Sequence, residues 1–348
     1  MNLLHGVGDF FSLDIGTNSM RIVQLSGSSQ HGWALQKYSY VPIEPRLTAD
    51  ESELGRKRLG EAILGAVNQA GIRTKNIALG LPASKTFTSI VETDTLPEKE
   101  LQKTFKYELD KYVPMAMSDA KADYIILGPS PNDAAKTEIL VSSVAKDYAE
   151  TNLEIIENVG LNVIAMEPEP LAMARALVVP GAQDATMVVD FGEKSTDLVI
   201  VFKDQPRLVR SIPGGFGNFV KTLASGLDVK EEQSRQFILK FGLSADQGDG
   251  QVFKILNQPL ESYASELAKS VRFFQTKYLN GKVGNIVLSG YASHIPLFPE
   301  YIEARTNVPT ANGNPWQLVR TSGGQQRALA PVANEFAVAI GLSERSND

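Results

Sequence analysis

A chain of 348 residues with 43% hydrophobic content is long enough to form two or three domains, each with its own core. Its net charge of −6, with both signs interspersed, provides no basic stripe and removes nucleic acid as a partner. There is no cysteine, and His5, His31 and His294 lie far apart, which excludes disulfides, a cysteine nucleophile and His/Cys metal clusters. The first residues lack a basic n-region, and no apolar run approaches the roughly 18 residues that cross a bilayer. The expectation is a cytoplasmic chain that reaches a membrane only through a partner.

In chain order, Phe11 and Leu13 precede Asp14-Ile15-Gly16-Thr17-Asn18-Ser19, and Ile22, Val23 and Leu25 follow it, which predicts strand, glycine turn and strand. A third strand is expected over 33–40, a polar turn-prone stretch over 44–57, a helix over 59–70 stopped by Gly71, and a strand over 77–81 ended by Pro82. Pro97 and acidic residues open a helix on which Leu101, Phe105, Leu109 and Val113 repeat at i, i+4 until Pro114. Strands over 122–127 and 138–145 and a helix over 146–159 complete a compact α/β piece. A second strand, turn and strand then surrounds Asp190-Phe191-Gly192-Glu193-Lys194-Ser195, with a third strand over 208–212. Helices are expected over 230–241 and 260–278, the latter with Leu260, Tyr263, Leu267, Val271, Phe274 and Tyr278 on one face.

The two turns share Asp, Gly and Ser at the same spacing, with a valine after each at Val23 and Val199. Singly, such a turn is ordinary hairpin chemistry. Repeated, it points to a shared role, because a glycine turn presents backbone N–H groups to phosphate oxygens and a neighbouring carboxylate can hold Mg²⁺ through water. The residues expected to act this way are Asp14 and Asp190 for the metal, and Gly16, Thr17, Asn18, Ser19, Gly192, Lys194, Ser195 and Thr196 for the phosphates.

Leu13 to Ser19 and Val189 to Asp197 resemble the two phosphate loops of the actin/Hsp70 superfamily, which includes sugar kinases and FtsA. Met166 to Ala172 and Phe336 to Leu342 resemble its two connecting helices. Within the superfamily, Leu96 to Val113 with Pro114, the helix carrying Glu266, Ser270, Phe273 and Phe274, and Asn314-Pro315-Trp316 are similar to the PilM family of type IV pilus assembly proteins. The resemblance implies a two-lobed actin-like ATPase fold with an FtsA-type extra subdomain. It divides the chain into a first lobe at 1–78 completed by about 160–185, an inserted partner-binding subdomain at 79–159, a second lobe at 186–343 with a helical insertion at about 229–282, and a polar tail at 344–348. ATP and Mg²⁺ are the implied cofactors, with Glu169 orienting water, Asp190 catalytic and Gly290 beside the adenosine.

The base side departs from the superfamily pattern. Tyr291 stands where relatives have a second glycine, and Arg235 and Ile238 stand where they have Glu and Lys, so weak, altered and absent nucleotide binding all stay open. At most a weak ATPase is expected. The implied function is a cytoplasmic scaffold, peripheral to the inner membrane, that binds the cytoplasmic tail of a PilN-like membrane protein and links it to pilus motor components, with homo-oligomers allowed. The alternatives are an active ATPase, a sugar-kinase-like phosphotransferase or an FtsA-like division scaffold. The tail is expected at the extra subdomain, on a strand edge or among Phe105, Leu109, Tyr112 and Met115. Asn2-Leu3-Leu4 resembles the partner tail itself and suggests docking on a neighbouring copy.

Overall fold

In the computed structural model, which describes residues 9–345, the elements follow the period of the apolar residues. The strands β1 (Phe10–Ile15), β2 (Ser19–Ser28) and β3 (Gly32–Pro42) form an antiparallel meander. Helix α1 (Glu53–Gln69) then leads to β4 (Asn76–Leu81). The helix starts well before the expected 59, because the Ser52 hydroxyl accepts the Gly55 N–H and caps a first turn whose one large apolar residue, Leu54, is exposed. Such a turn carries no apolar period to read.

Next come β5 (Thr86–Asp94), to which the sequence reading assigns no element, α2 (Glu98–Glu108), β6 (Ala120–Pro129), β7 (Lys136–Ala145), α3 (Lys146–Glu157), β8 (Asn162–Pro168) and α4 (Glu169–Leu177). They are followed by β9 (Ala185–Phe191), β10 (Ser195–Phe202), β11 (Gln205–Pro213), α5 (Phe216–Leu227), α6 (Glu231–Phe241), α7 (Gln251–Lys277), β12 (Val283–Gly290), α8 (Phe298–Thr306) and β13 (Thr310–Asn312). The last are β14 (Val319–Arg320), α9 (Gly323–Leu329) and α10 (Ala337–Ser343). Helix α7 runs nine residues ahead of the expected start because Pro259 sits inside it without ending it.

Two compact units result, one from residues up to 176 together with 314 onward, the other from 177–313. In the first, a six-stranded sheet has the order β14-β3-β2-β1-β4-β8. The period of two along β1 divides its faces: Phe11 and Leu13 enter a core with Ile63, Val67, Ile155 and Ile156 of α1 and α3, while the Ser12 hydroxyl points the other way and donates to Ala339 O of α10 at 2.6 Å. Each fully buried aliphatic side chain there contributes roughly 1.5–3 kcal/mol.

The same unit contains a separate three-stranded sheet, β5-β7-β6, packed on α2 through Leu101, Phe105, Ile139 and Val141. The second unit is built on a five-stranded sheet, β11-β10-β9-β12-β13. Its core joins Val189, Phe191 and Leu198 to Phe216, Leu223, Leu256, Leu267 and Phe298.

Candidate functional site

The two glycine turns have the same backbone. Gly16 N–H donates to Ser19 O at 3.0 Å, and Gly192 N–H donates to Ser195 O at 3.0 Å. The repeat in the sequence is therefore a repeat in geometry, and in both copies the glycine amide closes its own turn.

In the first unit, the strand register places Asp14 opposite Arg21. The guanidinium donates to Asp14 Oδ2 at 2.9 Å, Ser19 Oγ at 2.8 Å and Glu335 Oε2 at 3.1 Å, and the Tyr40 hydroxyl donates to the same Glu335 oxygen at 3.1 Å. Burial pushes the Asp14 carboxyl above the usual range, and Arg21 pulls it back. The turn lies directly on this arginine, since a Cβ on Gly16 would come within 2.8 Å of its Nη1. Arg21 was absent from the residues expected at this site. A signal existed: a turn closed between Gly16 and Ser19 pairs 15 with 20 and 14 with 21.

In the second unit, the turn rests on the N-terminus of α5. Phe216 N–H donates to Gly192 O at 2.9 Å, Gly217 N–H to Glu193 O at 3.0 Å, and Gly214 N–H to Lys194 O at 3.2 Å. The Thr196 hydroxyl donates to Gly214 O, and Ser195 Oγ lies 3.4 Å from Asp197 Oδ2. Asp197 is buried with Oδ1 lacking a hydrogen-bond partner, and burial raises its carboxyl above the ordinary range. Asp197 is, like Arg21 in the first unit, a polar residue of the site to which the sequence pattern assigns no role. Gly290 has a φ of +66°, and a Cβ there would meet Asp190 Oδ1 at 2.7 Å, so this position requires glycine.

On the side expected to hold the base, the unit's own side chains pack on one another. Tyr291 stacks on Phe216 at 4.3 Å with 16° between the rings, and the Arg235 guanidinium lies 4.9 Å from the Phe216 centroid and 5.6 Å from that of Tyr291. Arg235 is also paired in two-pronged fashion with Glu193 of the turn, at 2.7 and 3.0 Å. Ile238 is fully buried in the core. The fit to Mg-ATP is thus uneven. The turns are retained, whereas Arg235, Tyr291 and Phe216 form a closed stack beside one of them.

Glu169 opens α4 in the first unit, and Gly80 lies so close that a Cβ on it would be 3.2 Å from Glu169 Cγ. Its neighbour Glu167 is the more heavily tied: it accepts from Arg175 at 2.6 Å and from Arg345 at 2.7 Å, and these cations hold its carboxyl low against the opposing effect of burial. Glu344 and Arg345, read from sequence as the start of a polar tail, belong to this cluster, and Glu344 is 5% exposed. No group of three or more His, Asp or Glu that could hold a metal occurs among the described residues.

In the three-stranded sheet piece, Phe105 and Leu109 are buried, and Tyr112 and Met115 pack on them. Phe105 stacks on Tyr112 at 5.4 Å and meets Tyr124 edge-on at 5.0 Å. These side chains form the piece's own core instead of lining an open groove. What it offers are strand edges: within its sheet, β5 and β6 each have one side without a paired strand. The Asn2-Leu3-Leu4 segment lies outside the described residues.

A family model described as type IV pilus assembly protein PilM matches residues 12–347. Among solved structures, a PilM-PilN type IV pilus biogenesis complex superposes with a TM-score of 0.82 at 20% identity, covering 98% of this chain and 99% of that one. The ethanolamine utilization protein EutJ from Carboxydothermus hydrogenoformans gives 0.55 at 13% identity over 97% and 90% of the two chains. MreB5 of Spiroplasma citri bound to ADP gives 0.55 at 11% identity over 96% and 95%. These likenesses establish the actin-like ATPase fold.

Proposed function

The chain belongs to the PilM family of type IV pilus assembly proteins, and from that premise we propose that it is an actin-like scaffold of the inner-membrane pilus assembly complex that holds the cytoplasmic tail of a PilN-like membrane protein. The tail tethers it to the cytoplasmic face of the membrane and links it to the pilus motor. The observation carrying this reading is the sheet β5-β7-β6, whose apolar residues are enclosed with α2 while two strand edges stay unpaired within the sheet. An extended tail gains main-chain hydrogen bonds by adding to such an edge, and its loss of freedom keeps the affinity modest. Titrating the intact chain with the tail peptide and following amide hydrogen exchange tests this. Saturation should slow exchange at outward-facing amides of β5 or β6, and no protection anywhere in 86–145 would move the tail elsewhere.

Nucleotide binding through the glycine turns is weak in this reading, because the Arg235–Tyr291–Phe216 stack stands on the base side. Replacing Tyr291 by glycine restores a Gly-Gly pair and lets a ligand approach the backbone more closely. Tyr291→Gly should therefore bind Mg-ATP several-fold more tightly than the natural chain in isothermal titration calorimetry. Absence of heat from both proteins at millimolar nucleotide would mean that the turns no longer bind phosphate.

A further inference from the structure

Helix α7 ends at Lys277, and the chain turns through Tyr278 to Lys282 into β12. The turn is fixed from beneath: Tyr278 N–H donates to Phe274 O, Gly281 N–H to Tyr278 O, and Lys282 O accepts from Ala185 N–H, each at 2.8 Å. Phe202, at the end of β10, packs 5.9 Å from Phe274 and 6.4 Å from Tyr278, which sets the β10–β11 turn carrying Lys203 beside it. On this rigid base Leu279 is 84% exposed and Phe273 57% exposed.

The charge around these two apolar residues runs against that of the chain. From 267 to 282 there are four basic residues and no acidic one, in a protein of net charge −6. Lys269 is engaged by Glu266 at 2.6 Å and Lys277 lies 5.1 Å from the Tyr278 ring centroid, while Arg272 and Lys282 complete this stretch with Lys203 alongside. In the adjoining segments 178–184 and 203–205 the acids are Asp184 and Asp204, the latter accepting from Gly181 N–H at 2.7 Å.

We propose that this end of the second unit, with Leu279 and Phe273 set among Lys203, Arg272 and Lys282, binds directly to an anionic phospholipid surface. The apolar side chains enter the boundary between headgroups and acyl chains, and the Lys and Arg stems lie along it with their charges at the lipid phosphates. Charge complementarity selects anionic over zwitterionic lipid. A protruding, almost fully exposed leucine suits a fluid surface that closes around it better than a second folded protein, which would need a matching pocket. The contact is additional to tail binding and weak alone, so that the two act together through effective concentration.

The test is flotation of the full chain with vesicles of phosphatidylglycerol and phosphatidylethanolamine, beside vesicles of phosphatidylcholine and a lipid-free control. Binding is expected to the first alone, to fall steeply with added salt, and to weaken about fivefold for each cation removed in Lys203→Gln and Lys282→Gln. Leu279→Glu should abolish it. These side chains are exposed, and unchanged melting of the variants confirms that they fold. Failure of the natural chain to float with anionic vesicles, equal binding to phosphatidylcholine, indifference to the substitutions, or lipid-independent self-association would each overturn the proposal. Tail-peptide titration of the same variants separates the two readings. Unchanged tail affinity with lost flotation supports this surface, whereas vesicle binding without tail binding removes only the scaffold reading.

Discussion

Replacing Gly341 by alanine should destabilise the first unit by about 3 kcal/mol or more, enough to leave much of the protein unfolded at 37 °C. The residue lies in α10, fully enclosed, and the Ala172 carbonyl of α4 occupies the place a Cβ would take. The obstacle is backbone, which cannot rotate aside as a side chain can. Nor can α10 retreat without loss: Gly341 O accepts from Arg175, Ser343 Oγ donates to Val23 O at 2.9 Å, and Ser12 Oγ donates to Ala339 O. Urea denaturation should show the midpoint collapsing. Gly323→Ala is the control, because a Cβ there meets nothing within 4 Å and alanine favours the helix by up to about 1 kcal/mol.

The second large effect is a dependence on pH centred on Glu344. Both of its carboxylate oxygens are buried without a hydrogen-bond partner, and burial pushes the carboxyl up to about 8, with Arg175 opposing the rise. A native pKa above the ordinary 4.5 means that the folded chain binds more protons than the unfolded one between these values. Stability should therefore fall as pH rises from 5 to 8, by at most about 1.4 kcal/mol per pH unit from this group, and level off above 8. Glu344→Gln should flatten that part of the profile and melt higher than the natural chain at pH 8. Asp14 and Asp197 are raised too and add slope of the same sign from lower pH, while Glu167, held low by Arg175 and Arg345, stabilises above 4.5 and loses that contribution on acidification. The difference between the two proteins isolates Glu344 from all three.

The parts of this molecule legible in sequence are those whose cause is local. The two glycine hairpins could be read because Asp, Gly and Ser recur at one spacing, and the later part of α7 because Leu260, Tyr263, Leu267, Val271 and Phe274 follow a helical period. Strand β5 was illegible: its residues are nearly all half-buried, and its alternation is diluted by threonines and a serine. The start of α1 was hidden by a first turn whose leucine is exposed and the start of α7 by Pro259. At the candidate site, the glycines and the departures Tyr291 and Arg235 were visible, but their outcome was not. The pairing of Arg235 with Glu193 spans 42 residues and that of Arg21 with Glu335 spans 314. Likewise, the apolar face of α2 was plain, yet only the sheet opposite shows that Phe105 and Tyr112 are taken up by an internal core.

The bonds joining Ser12 to Ala339 and Ser343 to Val23 bear on the order in which the chain can assume its form during synthesis. All strands of the second unit are contiguous between 177 and 313, so that unit has every part it needs while later residues are still being added. The first unit does not. Its opening strand is made early, and the face of β1 that carries Ser12 waits uncovered until residues 337–343 emerge to lie on it. The unit begun first is thus the one completed last, and during that interval its sheet depends on protection from other chains.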